Sequence, residues 1–274
     1  MSKGTFNDKR SNNKHIVMNE IYGYVSKYIK NVNSVVLPSA HPESTLRRLY
    51  DNDITMDKSI YCFESNKKTW AKLWDRNRYN GIEQTARRMK TEGYKIVDKN
   101  IFFENTNVNN SPITRFMDLD LCGSWLTSRN FSTGMTDAHS PFNIFSRALT
   151  NQFKYFGNNW CTLIGTVSLR GTPGGKSTSF EALNGILNKI GHGLTSIDRC
   201  VGTYGKGKKI SKSGTVHQNG STYYAYEHNV MSHVNLSPYT TKGMCNAKMK
   251  VFTYVDSSPM LAFVLLHKRT LTEV

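Results

Sequence analysis

The chain has 274 residues, 38% of them hydrophobic, with 36 Lys and Arg against 20 Asp and Glu, a formal charge of +16 and a pI near 9.6. That length can bury a full core, and one main α/β domain with an insertion accounts for it as well as two small domains would. The longest apolar run near the C-terminus, PMLAFVLLHK, falls well short of the ~20 residues a membrane-crossing helix needs, and MSKGTFNDKRSNNKH lacks the apolar core of a signal peptide. A soluble, intracellular protein is expected, with no membrane partner. The positive surplus favours a polyanionic partner, nucleic acid first, because basic surfaces concentrate phosphates and release counterions on contact. A basic balance that only maintains solubility is the plainer alternative. Five scattered cysteines, none in CxxC spacing, read as small hydrophobes in a reducing compartment.

In chain order, residues 1–14 are polar and basic and are expected to form a flexible tail. From His15 to Ile29 the apolar positions Ile16, Val17, Ile21, Tyr22, Val25, Tyr28 and Ile29 recur at helical spacing. Three strand-like apolar bursts then stand out, VNSVVLPSAHPE (32–43), SIYCFESN (59–66) and TRFMDLDLCGSW (114–125), each closed by a polar or acidic turn. They are separated by helix-like sequence and so read as strands of a parallel sheet. After the first burst, Ser39 or Ser44 is placed to cap a helix whose inner face carries Leu46, Leu49 and Tyr50. After the second, KTWAKLWDRN puts Trp70, Leu73 and Trp74 on one helical face, GIEQTARRMKTEG reads as a further amphipathic helix ended by Gly93, and YKIVDKNIFF as a strand.

Beyond the third burst, 125–140 is rich in Ser, Thr, Gly and Asn and reads as a loop over the strand ends. SPFNIFSRALTNQFKYFG carries Phe142, Phe145, Leu149, Phe153 and Phe156 at near-helical intervals, with Pro141 suited to a first turn. NWCTLIGTVSLR reads as a long buried strand and SFEALNGILNKIG as a helix. Between about 195 and 247 the pattern breaks down, and only YYAYEHNVMSHV offers a short regular stretch, so a basic insertion or functional loop region is expected there. The end, MKVFTYVDSSPMLAFVLLHKR, is two β-rich runs joined at Asp256-Ser257-Ser258-Pro259, the signature of a hairpin.

Parallel strands alternating with helices and closed by an antiparallel strand pair resemble the class I S-adenosylmethionine-dependent methyltransferases, whose seventh strand is inserted antiparallel. The resemblance covers roughly residues 30–270 and implies an α/β fold: a Rossmann-like seven-stranded mixed sheet with a C-terminal antiparallel hairpin and helices on both faces. It also implies S-adenosylmethionine as cofactor. The turn of Pro38, Ser39, Ala40, His41 and Glu43 occupies the family's first cofactor loop, though it departs from the usual pattern in holding no glycine. Glu64, with Ser65 beside it, matches the acidic residue that accepts from the ribose hydroxyls, a task suited to two carboxylate oxygens. Asn100 and Ile101 would flank the adenine. Asp118 falls where the family's fourth motif begins, near the methionine moiety, and either Asp118 or Asp120 would orient the methyl acceptor. DLDLCG is also similar to the Asp-Leu-Asp-Pro-Phe/Tyr-Gly run of certain tRNA guanine methyltransferases, while no Asn/Asp-Pro-Pro-aromatic run occurs. Frequent Asn, Lys and Tyr with little Pro point to an AT-rich genome of the viral kind.

Other features keep rival readings open. GTPGGKST (171–178) sits between a strand and a helix like a phosphate loop, but Gly171 and Gly175 enclose one residue too few for the Walker spacing. As a nucleotide-binding loop it is a second alternative; in the methyltransferase reading Arg170 and Lys176 would touch a nucleic-acid backbone. Lys206, Lys208, Lys209 and Lys212 lie in a flexible run suited to phosphate contact without base specificity, or to simple solvation. Tyr223, Tyr224 and Tyr226 would stack on bases or pack in a strand. His228 and His233, five apart, do not have the spacing of a helical metal pair, and no G-x-S-x-G elbow is present. A methyltransferase-like protein that binds nucleic acid after losing its cofactor site is the first alternative to the enzyme, and completion of the site by a protein partner subunit stays open.

Overall fold

The three bursts become adjacent parallel strands. In the computed structural model the described residues are 12–37, 43–56, 58, 60–62, 89–91, 114–121, 125, 141–156, 158–169, 182–183, 185–186, 214–216, 223–236, 241–255 and 259–271. Two compact units are formed, Met1–Asp118 and Leu119–Val274.

The first unit opens with helix α1 (Asn12–Val25), followed by β1 (Ser34–Val36), α2 (Glu43–Asp51), β2 (Ile60–Cys62), β3 (Met89–Thr91) and the start of β4 (Phe116–Asp120). Its strand order is β3-β2-β1-β4 and every neighbour is parallel. Side chains on both faces of β1 and β4 are buried, as a central parallel strand requires. The approach to β1 is held by backbone bonds from Asn31 N to Asp53 O (2.9 Å) and Val32 N to Ile54 O (2.8 Å). Asn31 and Asp53 take φ of 49° and 56°, a left-handed conformation these side chains tolerate well. Behind them Thr55 Oγ1 donates to Val32 O (2.9 Å) and meets the Ser34 hydroxyl, so both buried hydroxyls are satisfied. The Lys30–Asp53 ion pair is exposed at 3.2 Å and contributes little, about 0–1 kcal/mol.

The second unit contains α3 (Pro141–Phe156), β5 (Cys161–Ser168), β6 (Gly214–Val216), β7 (Tyr223–Leu236), β8 (Thr241–Val255) and β9 (Pro259–Leu271). Its strands run β5-β9-β8-β7-β6, each neighbour antiparallel. The final strand is thus inserted between β5 and β8. Phe145, Ala148, Leu149 and Phe153 form the buried stripe of α3. Gln152, on the same helix, donates from Nε2 to Thr162 O (2.9 Å). Its Oε1 therefore accepts, and His267 Nε2 must carry the proton of their 3.1 Å bond. One side chain so links α3, β5 and β9.

Three aromatic rings fill the space beneath α3. Trp125 stacks on Phe263 (6.0 Å, 20°), and Phe145 stands edge-on to both, at 5.8 Å from Trp125 and 5.0 Å from Phe263. Each such pair is worth about 0.5–1.5 kcal/mol beyond its burial. Gly165 makes room for them: it lies opposite Phe263 in the ladder, and a Cβ there would sit 2.7 Å from Phe145 Cε1 and nearer still to the Phe263 ring.

Several expectations from the sequence give way. α1 starts at Asn12, so residues 12–14, expected in the tail, belong to a helix, and Lys14 is buried. α2 begins at Glu43, which places Ser44 inside the helix and not at its cap. Tyr50 is 47% exposed, because the buried stripe runs through Thr45, Leu46, Arg48 and Leu49, and Arg48 takes the inner place. Arg48 is held there by bonds to Asn19 Oδ1 (2.8 Å) and His15 Nδ1 (2.6 Å) on α1. Met89–Thr91, expected at the end of an amphipathic helix, pairs with β2 as a strand: an open sheet edge satisfies backbone groups in a way local periodicity does not register. The region expected to be irregular up to about 247 contains β6, the 14 residues of β7 and the first half of β8. Nine strands occur among the described residues, not seven. Among the described residues no helix is long and apolar enough to cross a membrane.

Gly165→Ala is expected to destabilise the protein by about 1–3 kcal/mol, the usual cost of overpacking a tight core. Urea unfolding with a lowered midpoint and unchanged slope checks it.

Candidate functional site

Register decides where the strand ends fall. Val36 lies opposite Cys62 on one side and Asp118 on the other, and Cys62 lies opposite Thr91. The carboxyl ends of β2, β1 and β4 therefore form one row, and ligands of open parallel sheets bind outside such a row. β1 is prolonged at this edge by a bond from Leu37 N to Asp118 O (3.1 Å), so the chain leaves the sheet after Leu37 directly beside Asp118. α2 begins at Glu43, six positions after Leu37.

Asp118 is only 4% exposed. Its Oδ2 accepts a 2.6 Å hydrogen bond from the Tyr22 hydroxyl of α1, and the Tyr22 ring stands edge-on to Phe116 at 5.3 Å. Phe116 and Asp118 occupy alternate positions of β4 and so point to the same face of the sheet, the face that receives Tyr22. The carboxylate thus holds α1 on β4. The sequence marked Asp118 but not Tyr22 as its partner, since a separation of 96 positions leaves no local trace. Asp120, two positions on, is half-buried at the strand tip, where Leu121 N turns back to Leu119 O (3.0 Å).

Cys62 closes β2 at the row. Burial pushes its thiol well above the ordinary range, so it is a neutral packing group and no nucleophile. Glu64 and Ser65 follow it by two and three positions but lie outside the described residues, as do Pro38, Ser39, Ala40, His41, Asn100 and Ile101. Glu43 opens α2, its side chain undescribed. Arg170, Lys176, Lys206, Lys208, Lys209 and Lys212 are also outside. Tyr223, Tyr224 and Tyr226 are ladder residues of β7, paired with Tyr254, Thr253 and Val251 of β8. His228 and His233 belong to opposite faces of β7, by the strand's two-residue period. Among the described residues no group of three metal-ligating side chains occurs.

No family model matches the sequence, and no curated protein does. Solved structures do match; one, described as a "putative rRNA-methylase" from Clostridium thermocellum, is 11% identical, with a TM-score of 0.38 over 91% of this chain and 96% of that one.

Tyr22→Phe removes a donor from a buried carboxylate and is expected to cost about 1.5–3 kcal/mol of stability. In denaturant titrations of the double-mutant cycle with Asp118→Asn, the two losses are expected to be clearly less than additive.

Proposed function

We propose that the chain is an S-adenosylmethionine-dependent methyltransferase acting on nucleic acid. The observation that carries this reading is the parallel order β3-β2-β1-β4, with its carboxyl ends in register, combined with a last strand inserted antiparallel between β5 and β8. The same order of elements marked the resemblance. The sheet edge supports this reading: the chain leaves β1 at Leu37 beside Asp118, immediately before Pro38, and β2 ends two residues before Glu64.

In this reading Glu64 accepts from the ribose hydroxyls, the 38–43 turn lies against the ribose or methionine end, and Asn100 and Ile101 flank the adenine. When bound, the cofactor supplies an electrophilic methyl group, and what remains for the protein is chiefly proximity and alignment. Asp118 and Asp120 take different parts. With one oxygen held by Tyr22, Asp118 fixes the strand end and the edge on which the cofactor rests. Asp120, half-buried at the tip, is the group that orients the acceptor. The charge of +16 supports a polyanionic acceptor.

The glycine-free turn Pro38-Ser39-Ala40-His41-Pro42 favours a second reading, a methyltransferase-like protein that binds nucleic acid without transferring methyl groups. Isothermal calorimetry separates the two. The enzyme is expected to bind S-adenosylmethionine, with Glu64→Ala weakening it about tenfold or more, the worth of one or two charge-assisted hydrogen bonds. Absence of heat at millimolar cofactor overturns the enzyme and leaves the binding protein.

A further inference from the structure

One side of α1 is a polar stripe. His15, Asn19 and Tyr22 stand at i, i+4 and i+7, so they lie along a single face of the helix, and each reaches a partner on another element. Tyr22 donates to Asp118 of β4, while Asn19 Oδ1 and His15 Nδ1 accept from Nε (2.8 Å) and Nη2 (2.6 Å) of Arg48 on α2. Arg48 is 8% exposed, so its guanidinium depends on these acceptors in place of water.

Chemistry fixes the direction of the second bond. A guanidinium carries only donors and keeps its proton, so the imidazole nitrogen that faces it must offer a lone pair. His15 is therefore neutral in this arrangement, with its proton on Nε2. A proton on Nδ1 would take that lone pair away and set two positive groups 2.6 Å apart. The other charged residues of the two helices are Lys14 and Glu20 on α1 and Glu43, Arg47 and Asp51 on α2, while β4, which α1 meets at Tyr22, carries Asp118 and Asp120. Lys14 is as deeply buried as Arg48, so a positive ring would add a third cation to two already buried in this helix pair. The His15 ring itself is half-buried, within reach of protons from solvent.

We propose that His15 is an acid-sensitive latch on α1. With its ring neutral it accepts from Arg48 and keeps the helix on α2; on gaining a proton it lets Arg48 go. Tyr22 lies two turns further along the same helix, so release of the latch also weakens the hydroxyl bond that satisfies Asp118 at the end of the parallel sheet. The bond holds the neutral form, so its contribution to stability is present at the alkaline side and is lost as pH falls and the ring is protonated. The inference concerns how α1 is seated and goes beyond the methyl-transfer reading, so a failed cofactor titration leaves it standing.

The test is native-state hydrogen exchange of the full-length protein at pH 7.5 and 5.5, an interval in which imidazoles ordinarily change charge, read as protection factors so that the intrinsic pH dependence of exchange cancels. Amides of residues 16–25 are expected to lose about tenfold or more of their protection at the lower pH, the worth of one hydrogen bond to a charged group. His15→Gln, whose amide oxygen accepts from Arg48 at either pH and takes no proton, is expected to keep its α1 protection constant. In the parent, nitrogen-15 spectra of the ring at pH 7.5 are expected to show the proton on Nε2. Unchanged α1 protection in the parent overturns the proposal. An equal acid loss in His15→Gln does so as well, since another group would then be titrating, and so does a ring proton on Nδ1 at pH 7.5.

Discussion

A buried hydroxyl–carboxylate bond, Tyr22 to Asp118, is the constraint on which the first unit turns. Parallel strands are buried on both faces, so a carboxylate in their midst is costly unless a donor reaches it. Tyr22 brings that donor on an aromatic ring that also packs edge-on against Phe116, and the helix is oriented by both contacts at once. Because Asp118 also accepts the backbone bond from Leu37, the same residue determines where β1 leaves the sheet. Helix position and strand exit are therefore coupled through one side chain and its own carbonyl.

The second unit uses a different device. Its order is antiparallel, and its core is shaped around an absence: the missing side chain of Gly165, into which Phe145 and Phe263 close. Polar fastening is again economical. Gln152 spends both ends of its amide on β5 and β9, and the polarity of that amide dictates which nitrogen of His267 bears its proton. Aromatic packing sets the spacing of helix and sheet, and the amide fixes their registration.

The candidate site was legible in part, for reasons visible at particular residues. Asp118 and Asp120 stood out because acidic residues ending an apolar burst are rare unless the strand stops at a polar edge. The row formed by Val36, Cys62 and Asp118 was not legible, since register is a pairing property. Arg48 illustrates the opposite error: by hydrophobicity Tyr50 belonged inside, yet Arg48 brings hydrogen bonds to His15 and Asn19 that Tyr50 does not. β7 was legible only as a short stretch, YYAYEHNVMSHV, of undecided helical or strand type, because Tyr, His, Asn and Ser alternate there without an apolar face and the signal that reveals most strands is missing.

By itself the sequence determined the local things: strands at the three bursts, the α3 stripe, the closing hairpin and the basic balance. Those follow from periodicity and composition, which operate over a few residues. Tertiary structure alone decided that Met89–Thr91 is a strand, that Tyr22 partners Asp118, and that Arg48 meets His15. Each depends on which distant segments pair and in what register, a choice made by burial and backbone hydrogen bonding across the whole fold.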